Sequence, residues 1–258
     1  MVGGSQNRDY RKSIYESYAA NKKLQNSIAH SEKDFQDWAA VCTARVLDWL
    51  PADRQTPVLD MGCGPGYFLY LLDRLGYTDL TGVDLSLSQI AIARRWCPRA
   101  KIVQGDAREV LARNSGRFGL IAGFDFIEHF SKDEVLPLLN LVVQALRTGG
   151  CLILQTPNAE SRWVGGTAYG DFTHEWFFTP SSLGAILSEA GLVGFAARPC
   201  RPYVHGLKSF ARAFLWNFLD LSMTLVNLIE IGRRGSGINT RVFLATAMKP
   251  PEAGPNYV

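Results

Sequence analysis

The stretch Val-Leu-Asp-Met-Gly-Cys-Gly-Pro-Gly, residues 58–66, constrains this chain more than any other part of it. A short apolar run carries an acid, Asp60, and gives way to glycines at 62, 64 and 66 before a helical pattern begins. A strand that feeds a helix through such a turn brings backbone N–H groups close to a ligand, because glycine tolerates unusual backbone angles and carries no side chain to hold the ligand off. The dinucleotide-binding pattern asks for a third glycine where Tyr67 stands, and a tyrosine there would crowd helix against strand. Asp60 would repel a phosphate but suits a cationic amino group. A second acid, Asp84, ends the next apolar run and is placed to accept hydrogen bonds from both hydroxyls of a ribose. The turn therefore reads as the seat of a ligand with a ribose, an amino group and no phosphate.

Around this turn, short β-rich runs alternate with amphipathic stretches, the signature of an α/β fold. Strands are expected at 57–62, 79–84, 100–105, 118–125 and 150–157, after a helical region from about 10 to 50. Between them lie helical patterns over 87–97 and 134–150, the second stopping on Gly149 and Gly150. A helix over 180–191 leads to a terminal strand pair, 192–200 and 240–249, separated by a long insertion. The expected organisation is an N-terminal helical lid region (1–50), one ligand-binding domain (51–202 with 238–249), a helical insertion (203–237) and a disordered tail (250–258).

Composition narrows the class. With 258 residues, 47% apolar and 20% charged, the chain can bury one substantial core. Its five cysteines are scattered and never form CxxC, which argues against a disulfide framework and a zinc site, so no metal is expected. A net charge of +3 is too small to point to nucleic acid. The first residues are polar and no uninterrupted apolar stretch approaches the roughly 18 residues of a membrane span, so a cytoplasmic protein is expected.

The runs VLDMGCGPG, LTGVDLS, VQGDA and FDFIEHF, in this order, resemble the motifs of class I S-adenosylmethionine-dependent methyltransferases over about residues 35–200. The resemblance implies a Rossmann-like seven-stranded sheet flanked by helices, with S-adenosyl-L-methionine as cofactor. Carried over residue by residue, it implies that Asp60, Gly62, Cys63 and Gly64 contact the methionine part, Asp84 the ribose, Leu85 an adenine face, and Asp106 with Ala107 the adenine edge. Phe124 and Asp125 would border the sulfonium.

Methyl transfer is an in-line displacement, so the protein aligns the acceptor, excludes water and removes a proton when the acceptor is a hydroxyl. His129, beside Glu128 after the fourth strand, resembles a residue that braces the site in small-molecule methyltransferases, and a catalytic role is the other reading. In the glycine- and aromatic-rich loop 156–180, Asp171, His174 and Glu175 can form a base with an orienting carboxylate; equally, Asp171 caps a turn and His174 holds the loop shut. This loop resembles methyltransferases of bacterial surface-polysaccharide and lipopolysaccharide assembly, which implies a sugar hydroxyl of a glycan or lipid-linked glycan as acceptor. A phenol or quinone precursor is the alternative, because the Glu-His pair also resembles ubiquinone-biosynthesis O-methyltransferases. A cofactor-binding partner protein without activity is the alternative outside enzymes.

In the insertion, Leu207, Phe210, Phe214, Phe218, Leu221, Leu225 and Leu228 recur at three- and four-residue steps and form one helical stripe. Packing on the domain or across a homodimer is expected for 207–230; a peripheral membrane contact, with flanking arginines on anionic head groups, is the other reading. At the N-terminus, Tyr10, Tyr15 and Tyr18 fit a lid in which Tyr15 or Tyr18 caps the cofactor.

Overall fold

The computed structural model describes residues 30–251 together with Ile14. The expected lid tyrosines, Tyr10, Tyr15 and Tyr18, and residues 252–258 of the tail lie outside the described residues. Seven strands, β1 (Val58–Met61), β2 (Leu80–Asp84), β3 (Lys101–Gln104), β4 (Phe118–Phe124), β5 (Leu146–Pro157), β6 (Val193–Pro199) and β7 (Val242–Met248), form one sheet in the order β3-β2-β1-β4-β5-β7-β6. β7 runs antiparallel to both neighbours and the other pairings are parallel. The Rossmann-like seven-stranded sheet implied by the sequence is thus the fold that forms. Helices α1 (Glu32–Val46), α2 (Tyr67–Arg74), α3 (Leu87–Trp96), α4 (Ala107–Ala112), α5 (Lys132–Ala145), α6 (Gly165–Ala168), α7 (Pro180–Glu189) and α8 (Leu207–Ile231) complete the described residues.

The central strands read as unbroken apolar runs because both faces of the sheet are covered. Successive side chains alternate between the faces. Val58, Leu120 and Ile153 join Phe35 of α1 and Phe68 and Leu69 of α2 on one side. Leu59, Ile121 and Leu152 join Leu138, Leu139 and Val142 of α5 and Leu183 and Leu187 of α7 on the other. Helix starts follow local chemistry: Ser31 and Asp34 close a capping box before α1, and Thr179 with Ser182 does so before α7, where Pro180 takes the first position.

Two expectations need correcting. α5 ends at Ala145 rather than on Gly149 and Gly150, because Leu146 already pairs with Phe118 and the sheet ladder takes over, with a register shift before Leu120 meets Cys151. Gly149, at φ 70°, shapes this irregular start instead of stopping a helix. α8 does form between β6 and β7, but its apolar stripe does not pack on the domain: Phe210, Phe214, Phe218, Leu221 and Leu225 are all more than half exposed. By length and composition α8 is also apolar enough to cross a membrane, where the sequence reading expects no such segment.

Candidate active site

From β1 the chain winds to β2 and β3 on one side, then returns to β4 and β5 on the other, so a crevice opens at the carboxyl ends of β1 and β4. A cavity of about 640 Å³ occupies it, lined by the glycine turn and the ends of β2 and β4. Gly62 adopts φ 63°, and a Cβ there would lie 2.7 Å from the Phe126 ring. Gly64, at φ 52°, lines the cavity, and a Cβ there would meet no atom within 4 Å. The third glycine's packing role falls to Gly66, whose missing Cβ would stand 3.0 Å from the Cys97 sulfur and 3.3 Å from Ala93 of α3. Tyr67 is consequently free to open α2 without crowding it. Its ring lies 4.4 Å from that of Phe35 and 5.6 Å from that of Trp38, its hydroxyl is 3.0 Å from His30 Nδ1, and it walls the cavity.

The acids expected at the cofactor all line this cavity. Asp60, within β1, is 2% exposed and has no hydrogen-bond partner among the described residues; burial and, after it, the charge of Asp84 push its carboxyl well up. Asp84 accepts from the Gly64 amide (2.9 Å) and the Ser86 amide (2.8 Å), tying the end of β2 to the glycine turn. A carboxylate has about four acceptor positions, and Asp84 presents its own to the cavity beside the glycine turn. Asp106 caps α4 and is gripped by Arg108, whose guanidinium lies 2.6 Å from Oδ2. Burial alone would raise the Asp106 carboxyl, but the hydrogen bonds and charge of Arg108 outweigh it and hold it below its ordinary value.

The other expected contacts also line the cavity, in different ways. Leu85 is half-exposed there and Ala107 is buried. Cys63 contributes less than its position suggests: its thiol packs beneath Gly82, where a Cβ would lie 2.9 Å from the sulfur, and burial pushes that thiol up. Phe124 stacks its edge among Trp38 and Phe68. Asp125 is the one non-glycine with positive φ (51°) among the described residues, a strained conformation fixed by the Gln155 side chain, which donates to both carboxylate oxygens at 3.1 and 3.2 Å. Sequence reasoning missed Arg108, Trp38, Phe130 and Gln155. The run GDAREV places an arginine two residues after Asp106, which was the available signal for Arg108.

Behind the acceptor side of the cavity, Glu128, His129 and His174 converge, with one ligand atom each within 4.8 Å of the others. Nothing in their spacing along the chain announces this meeting, and the sequence reading expects no metal. Glu128 is fully buried and accepts from Thr156 Oγ1 at 3.1 Å; burial first, then the charge of Asp125, keeps its carboxyl well up. His129 lines the cavity, with Nδ1 2.9 Å from Thr173 Oγ1, and the Thr173 hydroxyl in turn donates to Asp171 at 2.6 Å. Burial and the neighbouring His174 push His129 down to about 4, although backbone hydrogen bonds to Thr173 and Asp125 oppose the shift. These contacts tie His129, which follows β4, to Thr173 of the loop after β5. The imidazole that Asp171 reaches, through Thr173, is therefore that of His129. Of the two readings of His174, the hydrogen bond is that of the second, to backbone: its Nδ1 lies 2.7 Å from the Ala168 carbonyl oxygen, so that nitrogen carries the proton and the ring's lone pair is at Nε2.

S-adenosylmethionine, the group the sequence implies, fits these residues. A buried acid with no side-chain donor among the described residues suits an ammonium, the Asp84 carboxylate at the end of β2 suits ribose hydroxyls, and Gly64 leaves open the space a side chain would fill. Comparison with known proteins agrees. A family described as methyltransferase domain matches residues 30–195. Ubiquinone biosynthesis O-methyltransferases are similar: that of Ruegeria sp. (strain TM1040) is 28% identical over 149 residues, 52% of this chain and 59% of the relative. That of Xanthomonas campestris pv. campestris is 30% identical over 165 residues, 57% of this chain and 67% of the relative. The chain thus spans only about three-fifths of the first of these relatives. A solved SAM-dependent methyltransferase from Archaeoglobus fulgidus superposes with a TM-score of 0.61 at 20% identity, covering 84% of this chain and 97% of that one, which speaks for the fold. The chain belongs to the methyltransferase-domain family, and its fold is that of S-adenosylmethionine-dependent methyltransferases.

Proposed function

We propose that this methyltransferase methylates a hydroxyl of a phenolic small molecule, in the manner of a quinone precursor. The observation that carries this reading is the aromatic wall of the cavity, built from Trp38, Tyr67, Phe124, Phe126 and Phe130. The one arginine among its described lining residues, Arg108, is already held by Asp106 and, at 3.4 Å, by Glu134. Flat aromatic walls favour a flat acceptor, and the similarity to O-methyltransferases of ubiquinone biosynthesis supports the same chemistry. The sugar hydroxyl implied by the loop 156–180 rests on sequence resemblance alone.

Bound S-adenosylmethionine supplies an electrophilic methyl group on a sulfonium. In this reading Asp60 holds the cofactor's ammonium and regains its charge beside it, since a nearby cation offsets the cost of burial. Asp84 takes the ribose hydroxyls, and Phe124 with Asp125 borders the methyl. The aromatic side chains exclude water from the transfer. His174, with Nδ1–H directed to Ala168, accepts the acceptor's proton at Nε2, and His129 holds the end of β4 in place from its position against Thr173. A degenerate, inactive relative would have no call for Asp60, Asp84 and Asp106 together on one cavity.

The test is a product assay with labelled S-adenosylmethionine and two panels of acceptors, catechols with hydroxybenzoates against free and lipid-linked sugars. Transfer to a phenolic hydroxyl is expected. Transfer to sugars alone would contradict the reading.

A further inference from the structure

Helix α8 carries its polarity inside out. Ser209, Ala213, Trp216, Asp220, Met223 and Asn227, at alternating steps of four and three, are the residues turned toward the domain, buried or half-buried. Polar groups fasten this side: Asp220 pairs with Arg201 at 2.6 Å and accepts from Asn239 at 2.7 Å, while Arg162 reaches Asn227 at 3.3 Å and Glu230 at 3.5 Å. The opposite side is a continuous apolar row, with Leu207 85%, Phe214 67%, Phe218 68% and Leu221 68% exposed. A helix that covers a globular domain does the reverse, and a row running most of a helix about 37 Å long exceeds what soluble monomers leave open. Turning the row inward would break the Asp220 contacts, so the fold holds it outward.

Charge says what covers it. Lys208 and Arg212 lie in the first turns of the helix on its polar side, away from the row, and Arg233 and Arg234 follow its C-cap glycine, Gly232; all four are exposed. None of the four forms an ion pair among the described residues, whereas the helix's two acids, Asp220 and Glu230, are taken by Arg201 and Arg162. Both ends of the helix are therefore basic, and a second copy laid against it, parallel or antiparallel, would set like charges together at each end. An anionic lipid surface complements the basic ends and the row at once. The placement is also directional. α8 leaves the carboxyl end of β6 and returns to β7 where Val242 pairs with Pro157, the end of β5, so it lies on the edge of the sheet at which the cavity opens. Trp216 meets Trp163 of the loop after β5 at 6.5 Å.

We propose that α8 docks the enzyme onto an anionic bilayer, lying in the plane of the interface with its phenylalanines among the acyl chains and its four basic residues on the head groups. The polar contacts that bind its inner side to the domain set it flat against the surface rather than across it. This inference is independent of the acceptor.

Co-sedimentation of the full chain with phosphatidylcholine vesicles, with and without phosphatidylglycerol, tests it, alongside lipid-free sedimentation velocity. Binding to the phosphatidylglycerol vesicles is expected, weakened by raised salt, with little binding to phosphatidylcholine alone. The double variant Phe214→Ser/Phe218→Ser should lose at least about tenfold in vesicle affinity yet keep its melting temperature and cofactor binding, because neither ring touches the core. Arg233→Glu/Arg234→Glu should weaken anionic binding by roughly fivefold or more per site. In a Phe214→Trp variant the new indole's emission should shift to the blue on phosphatidylglycerol vesicles. No vesicle binding, equal binding to both vesicle types, binding indifferent to these substitutions, or a lipid-free dimer that the serine variant dissociates would each overturn the proposal. Cofactor calorimetry on the same variants keeps a failure here distinct from a failure of the active-site assignment.

Discussion

Acidification should expose the cost of burying His129. Its ring is pushed to about 4 by burial and by His174, against an ordinary value of 6.5. Between those values the unfolded chain holds a proton at this position that the folded chain does not, so the site's contribution to stability falls as pH falls. The loss is absent above about pH 6.5 and complete below about pH 4. Each pH unit in that window carries about 1.4 kcal/mol, which gives roughly 2 kcal/mol at pH 5 and roughly 3 kcal/mol at pH 4. Asp60 and Glu128 act in the opposite sense: their raised carboxyls keep protons that the unfolded chain has released, so their contribution is present at low pH and lost as pH rises. The wild-type curve alone therefore mixes both signs, and the comparison needs His129→Asn, whose amide can replace Nδ1 toward Thr173 without titrating. Denaturant unfolding of both proteins at pH 7 and pH 5 should show the variant gaining about 2 kcal/mol on the wild type over that interval. Parallel pH profiles, or a gain on going to higher pH, would refute a neutral, half-buried imidazole bracing the end of β4.

Gly64→Ala and Gly82→Ala should separate binding from folding. The first places its methyl in cavity space, so calorimetry should show lost cofactor affinity with a backbone-strain cost of only about 1–2 kcal/mol; the second drives a methyl to 2.5 Å from Leu69 and 2.9 Å from the Cys63 sulfur and should lower the melting temperature by roughly five to ten degrees. His174→Ala should cut turnover by roughly 10² or more while cofactor affinity stays within about twofold, as expected for a residue acting only on the acceptor's proton. Arg108→Ala should release Asp106, whose carboxyl then titrates at a higher pH because its burial is no longer offset; NMR titration of that carboxyl reads the change.

How much of this was legible depends on how local the physics is. The turn over 62–66 and the acids Asp60 and Asp84 could be read because a glycine run and a strand-ending acid need only their immediate neighbours to have meaning. The end of α5 could not be read, because whether Leu146 stays helical is decided by Phe118, a strand partner 28 residues upstream. Which of the two readings of the loop histidine the hydrogen bonds follow could not be read for the same reason. Asp171 and His174 are adjacent enough in sequence to suggest a pair, yet the carboxylate goes to Thr173 and on to His129, while the Ala168 carbonyl orients His174. In α8 the periodicity gave the stripe correctly but not the side it faces: the polar residues Asp220 and Asn227, which look like a solvent face, are held by Arg201, Asn239 and Arg162 from the domain.

Cofactor binding at the adenosyl site is the most direct measurement. Titration calorimetry of the purified chain should show S-adenosylmethionine and S-adenosylhomocysteine binding at one site. Asp84→Ala should weaken both by roughly 10²-fold, since hydrogen bonds to a charged acceptor contribute about 1.5–3 kcal/mol each. Tight binding of a nicotinamide dinucleotide with none of either adenosyl compound, or full affinity in the Asp84 variant, would contradict it.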